Sequence, residues 1–120
     1  MERPTIENTP AEVEAIMRSL PARFRPDRAG DFAGSFHFDI EGAPKPQWTV
    51  IIEDGECRVE EGLVGEPACV VRMNEKTYVG IETGTKSPMI AFVKGRIKVT
   101  NVGHMRRYDR VFWKLYDVPK

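Results

Sequence analysis

Apolar residues near the start of the chain recur with a helical period. Thr9 and Pro10 open the first predicted helix, with threonine as cap and proline at the first turn, where its missing N–H costs nothing. Thr9 and Glu12 also have capping-box spacing. Val13, Ile16, Met17 and Leu20 then share one face, and Pro21 is expected to end the helix. The stretch ARFRPDRAGD reads as a connector. From residue 35 the period changes to two. Phe36, Phe38 and Ile40 alternate with Ser35, His37 and Asp39, predicting a strand with one buried and one wet face. Trp48 to Glu53 is a second strand, apolar on both faces at its middle and therefore expected inside the sheet. The EDGE turn leads to a charged third strand, Cys57 to Glu60, as suits an edge. Residues 61–67 read as a loop and Ala68 to Met73 as a fourth strand.

The second half is punctuated by caps. Asn74 begins a helix carrying Tyr78, Val79 and Ile81, and Gly84 stops it. Ser87 and Pro88 then begin a helix barely two turns long, holding Met89, Ile90, Phe92 and Val93, which Gly95 ends. So short a helix cannot stand alone; it must plug a core or line a pocket. Ile97 and Val99 alternate with Arg96 and Lys98 in a fifth strand. From about His104 a last helix places Met105, Tyr108, Val111, Phe112 and Leu115 on one face, opposite Arg106, Arg107, Arg110 and Lys114. The predicted architecture is one α+β domain over residues 1–120, with an antiparallel-rich sheet and helices gathered on one face. The helical crossover between the fourth and fifth strands makes that pair the candidate for parallel pairing.

Composition narrows the function classes. At 41% hydrophobic residues, the chain has enough for a core, and no apolar run reaches the roughly 20 residues of a membrane span. The N-terminus lacks a signal-peptide core and the two cysteines, Cys57 and Cys69, are too few for a disulfide scaffold. Reduced thiols in a cytoplasmic protein are expected. Formal net charge is zero, which argues against attraction of the whole protein to nucleic acid. Charge is unevenly spread: acids cluster over residues 53–66 and bases over 94–114. The basic side of the last helix is either a solvated face or a surface for weak contact with an anionic membrane.

Catalytic patterns are not found. His37 and His104 have no ligand at metal spacing, and no phosphate-binding loop, dinucleotide fingerprint or nucleophile elbow occurs. Neither metal nor cofactor is expected. Glu82, four residues after Tyr78 on a helix with an apolar face, is either a rim residue in water, a polar group at a pocket mouth or a base of raised pKa.

Four segments, GSFHFDIEG, QWTVIIEDGE, ACVVRMNEKTYVGIETG and SPMIAFVKGRIKV, resemble in order and spacing the sterol carrier protein 2 family of lipid-binding domains. The resemblance spans about Phe36 to Val99 and departs after the fifth strand, where TNVGHMRRYDRVFWKLYDVPK is richer in aromatic and basic residues than is usual there. It implies a mixed five-stranded sheet with helices over one face, enclosing a hydrophobic tunnel for a fatty acid, fatty-acyl-CoA or sterol. It also implies a non-enzymatic domain that stands alone or serves a lipid-metabolising enzyme. With that implication, the inward parity of the strands and the helical stripes supply candidate tunnel walls. From the strands these are Phe36, Phe38, Trp48, Val50, Val71 and Met73; from the helices, Tyr78, Ile81, Met89, Phe92, Val93, Met105 and Phe112. A dozen buried methylenes at ~0.8 kcal/mol each, less at least ~4 kcal/mol of lost ligand freedom, leave about 6 kcal/mol, an affinity in the tens of micromolar.

Two other readings compete with lipid carriage. One is a small enzyme with a ketosteroid-isomerase-like greasy pocket, although only one clear helix precedes the sheet and no acid interrupts the apolar faces. The other is an interaction module with a filled core, serving a lipid-metabolising enzyme.

Overall fold

The computed structural model describes residues 12–117. Helices α1 (Val13–Arg23) and α2 (Pro26–Ala29) precede strands β1 (Gly34–Glu41), β2 (Gln47–Glu53), β3 (Glu56–Glu61) and β4 (Cys69–Asn74). Then come α3 (Glu75–Thr83), α4 (Pro88–Val93), the short strand β5 (Lys98–Val99), α5 (Val102–Arg110) and a 3-10 turn at Leu115–Asp117. The fold is α+β with a mixed five-stranded sheet in the order β3-β2-β1-β4-β5. β3 is an edge strand and β2 an interior one, as the sequence predicts.

The β2–β3 hairpin is closed by Asp54 and Gly55 with φ of 53° and 73°, the left-handed pair a tight hairpin needs. The parallel pair is not β4 with β5, which are antiparallel through Val71↔Val99 and Arg72↔Lys98. It is β1 with β4, from Phe36↔Cys69 to Glu41↔Asn74. Residues 62–68 carry the chain from β3 to β4 across the outer face of the sheet. The three strand spacings amount to about 14 Å, within reach of that stretch without a helix. Thr49 and His37 hold the crossing: the Thr49 hydroxyl donates to Gly62 O at 2.7 Å and accepts from Val64 N–H at 2.9 Å, and His37 Nε2–H donates to Val64 O at 2.9 Å. His37, expected on a wet face, is therefore buried.

The caps at Asn74 and Ser87 form as expected, accepting from Thr77 N–H and Ile90 N–H. Gly95, with φ 74°, ends α4 with paired bonds, Gly95 N–H to Phe92 O and Arg96 N–H to Ala91 O. Thr9 and Pro10 lie outside the described residues; Glu12 caps α1 with extended backbone and no side-chain bond. Pro21 does not end α1, which continues to Arg23. The last turn is tied back by Arg23, whose Nε donates to Ser19 Oγ at 3.0 Å and Nη2 to Ile16 O at 3.4 Å. The expected connector contains α2.

The last helix is displaced from its predicted span. The Asn101 side chain accepts from His104 N–H, so α5 begins at Val102 and stops at Arg110. Arg25 N–H donates to Val111 O at 2.7 Å and Trp113 N–H to Arg23 O at 2.8 Å, making a bridge between Phe24 and Phe112. This pairing replaces a further helical turn; Val111 reaches the core from the cap of α5, Phe112 from the bridge and Leu115 from the 3-10 turn.

Candidate functional site

Strand parity brings most of the expected wall residues together. Phe36 pairs with Val50 and Phe38 with Trp48; on the other flank Phe36 is level with Cys69 and Phe38 with Val71. Phe36, Phe38, Trp48, Val50 and Val71 are fully buried on the helix-covered side, and Met73, Tyr78 and Phe112 are buried beside them. Ile81 and Met105 pack half-buried at the rim of the same core. Aromatic rings fill its centre. Tyr108 stands 4.9 Å from Phe36, 5.5 Å from Phe38 and 4.8 Å from Phe112, centroid to centroid.

Met89, Phe92 and Val93 correct the expectation that α4 turns its apolar stripe inward. Met89 and Val93 are 70% and 77% exposed, and Ile90 and Phe92 are exposed as well. Only Ala91 is buried. Each of Met89 and Val93 lies two residues from Ala91, about 200° around the helix. The small methyl of Ala91 lets the backbone approach the core, and the large residues consequently point away. Lys86, Lys94, Arg96 and Lys98, which flank α4 in sequence, are also exposed.

Inside the core lies a polar group that the sequence reading missed. The Arg23 side chain is buried, and its Nη1 reaches Glu82 Oε2 at 3.2 Å and Trp113 O at 3.2 Å. The Glu82 side chain retains 19% exposure. Glu82 is thus the counter-ion of a buried cation and not a rim residue in free water. Extending the α1 stripe from Ile16 and Leu20 by one turn lands on residue 23, so the buried position was legible even though an arginine there was unexpected.

Close by, Tyr78 and Tyr108 keep their hydroxyls in the core with no hydrogen-bond partner among the described residues. Each such orphaned group costs roughly 1–3 kcal/mol. Burial pushes both phenols well above their ordinary pKa; the Glu82 carboxylate adds to the rise and the Arg23 guanidinium opposes it. Tyr108 is part of the aromatic centre but was not among the predicted wall residues. Burial likewise pushes the Cys57 thiol up to about 12 and raises that of Cys69, so neither is a reactive thiolate at neutral pH.

Other surfaces fit a lipid poorly. An open cleft of about 560 Å³ on the outer face is lined by charged residues including Asp39, Glu41, Arg72, Arg96 and Lys98. The basic side expected for the last helix is broken up: Arg107 stacks over Phe32 at 4.6 Å and Lys114, beyond the helix, pairs with Asp109. Among the described residues no group of acids, histidines and cysteines has the arrangement of a metal site, and no helix is long and apolar enough to cross a membrane.

Comparison with solved structures agrees with this architecture. The stereoselective inverting sec-alkylsulfatase Pisa1 from Pseudomonas sp. superposes with a TM-score of 0.68 at 15% identity, over 78% of this chain and 15% of that one. This chain therefore corresponds to a small part of that enzyme. Palmitated sterol carrier protein 2-like 2 from Aedes aegypti gives 0.64 at 18% identity, covering 82% of this chain and 93% of that one. Sterol carrier protein domain 2 of Helicoverpa armigera gives 0.59 at 17% identity, covering 78% and 77%. No curated protein matches the sequence. Residues 14–108, from the first turn of α1 to Tyr108 in α5, match the SCP-2 sterol transfer family, and with the sheet order and helical cover above, the chain belongs to that family.

Proposed function

We propose that this domain binds one chain-like or sterol-like lipid between the sheet and the helices and presents or transfers it without chemical change. Family membership over residues 14–108 carries the reading. The inward apolar face of β1, β2 and β4 supports it, as does the palmitated state of the Aedes aegypti relative. The walls in this reading are Phe36, Phe38, Val71, Met73, Tyr78 and Phe112, with Trp48, Val50, Ile81 and Met105 behind or beside them. Met89, Phe92 and Val93 are left out because they face outward.

Entry of a lipid requires side chains to move. Met17, Met73 and Met105 are unbranched and re-pack at small cost. α4 contributes only Ala91 to the core, so little buried contact holds it in place. The alternative is a packed interaction module that serves a lipid-metabolising enzyme, favoured by one observation, the outward apolar surface of α4.

Titration with a fluorescent fatty acid separates the two. A carrier gives saturable one-to-one binding in the micromolar range, competed by unlabelled lipid. No saturable binding of fatty acid, fatty-acyl-CoA or sterol refutes carriage and leaves the interaction module.

A further inference from the structure

The two orphaned hydroxyls assign a chemical preference to the lipid. Tyr78 and Tyr108 are 2% and 5% exposed, and each hydroxyl lacks a partner among the described residues. Their rings flank the same residue, Phe38, at 6.4 and 5.5 Å. Tyr78 comes from α3 and Tyr108 from α5, so two separate helices deliver hydroxyls into one apolar interior. Such donors are costly where nothing accepts from them.

The neighbouring ion pair decides what kind of acceptor fits. Arg23 is already engaged by Ser19 Oγ, Glu82 Oε2, Trp113 O and Ile16 O. Its charge is matched by Glu82. A carboxylate entering here would set a second anion against one cation in a medium that does not screen it. An uncharged oxygen meets no such repulsion, and a carbonyl or hydroxyl oxygen can accept from a phenolic donor.

Resting on the lipid-carrier reading above, we infer that Tyr78 and Tyr108 form an oxygen-recognition site selecting neutral lipids that carry a carbonyl or hydroxyl group. The charge-matched Arg23–Glu82 pair disfavours anionic head groups at this site. Specificity arises in the usual way for a greasy cavity, with a few fixed polar groups among apolar walls.

The test is competition of cetyl alcohol, its methyl ketone analogue, palmitate and the parent alkane cetane against a fluorescent lipid, at a pH where palmitate is ionised. The alcohol and ketone are expected to bind more tightly than cetane by about three- to tenfold per hydroxyl engaged, and palmitate no more tightly than the alcohol. Tyr78→Phe and Tyr108→Phe each lose that factor for alcohol and ketone and leave cetane unchanged. Because each removes an unsatisfied group, neither is expected to lower the melting temperature, so a loss of alcohol binding reads the missing hydroxyl and not unfolding. In the wild-type protein, the near-ultraviolet tyrosine band shifts to the red when alcohol is added and not when cetane is added. Equal affinity of the four ligands, or variants that lose alcohol and cetane binding in parallel, overturns this inference and leaves lipid carriage standing. Binding of none of them overturns both.

Discussion

Replacing Glu82 by glutamine preserves shape and removes the charge opposite Arg23. The guanidinium remains buried at 1% exposure, with Ser19 Oγ, Trp113 O and Ile16 O as neutral partners. Breaking a fully buried pair from one side costs about 3–5 kcal/mol. Glu82 keeps 19% of its side chain exposed, so water recovers part of this, and a loss of about 2–3 kcal/mol is expected. Arg23→Met together with Glu82→Gln leaves no charge behind, so the double variant should be less destabilised than the sum of the singles by at least ~1 kcal/mol. Urea unfolding at neutral pH measures both, provided the denaturant slope is shared. A Glu82→Gln loss below ~0.5 kcal/mol, the level of an ordinary surface change, or strict additivity in the cycle, refutes the claim that a buried ion pair ties α1, α3 and the C-terminal segment together.

Gly95→Val places a β-branched residue at φ 74° and should destabilise by more than ~1 kcal/mol; an unchanged urea midpoint would remove the backbone explanation of this glycine. Phe92→Asp should change stability by less than ~0.5 kcal/mol, since the residue is exposed on α4, and an unfolded variant would show that α4 packs inward. Alkaline pH should destabilise the protein. The Cys57 thiol titrates near 9.0 when unfolded and about 12 when folded, so the unfolded state loses its proton first and stability falls as pH rises above 9.0 towards 12. Under reducing conditions the Cys57 share of the loss one unit above its unfolded value is about 1.4 kcal/mol, and Cys57→Ala should remove that share; an identical pH profile for that variant would contradict the burial of the thiol.

What the sequence made legible was local. Asn74, Ser87, Gly84 and Gly95 act through bonds to residues a few positions away, and all four mark helix ends as their chemistry predicts. Alternation along β1 identified Phe36 and Phe38 as inward, because parity depends only on the strand itself. Features set by distant segments were missed. The parallel pairing of β1 with β4 depends on how residues 62–68 cross the sheet. The end of α5 depends on Arg23 and Arg25 offering backbone partners to Trp113 and Val111. On α4, four large apolar residues suggested an inward stripe, yet the one small residue, Ala91, decided which side docks. The Tyr78 and Tyr108 hydroxyls were invisible for a related reason: a tyrosine at an apolar position reads as core, and only the packed structure reveals that its oxygen has no acceptor.

The central claim is that this domain holds a lipid, and native mass spectrometry of protein purified without detergent or organic solvent tests it most directly. The expected result is one non-covalent adduct of lipid mass per chain, released by collisional activation and restored by adding cetyl alcohol or a sterol. A bare mass that stays bare after incubation with neutral and anionic lipids alike would contradict the claim.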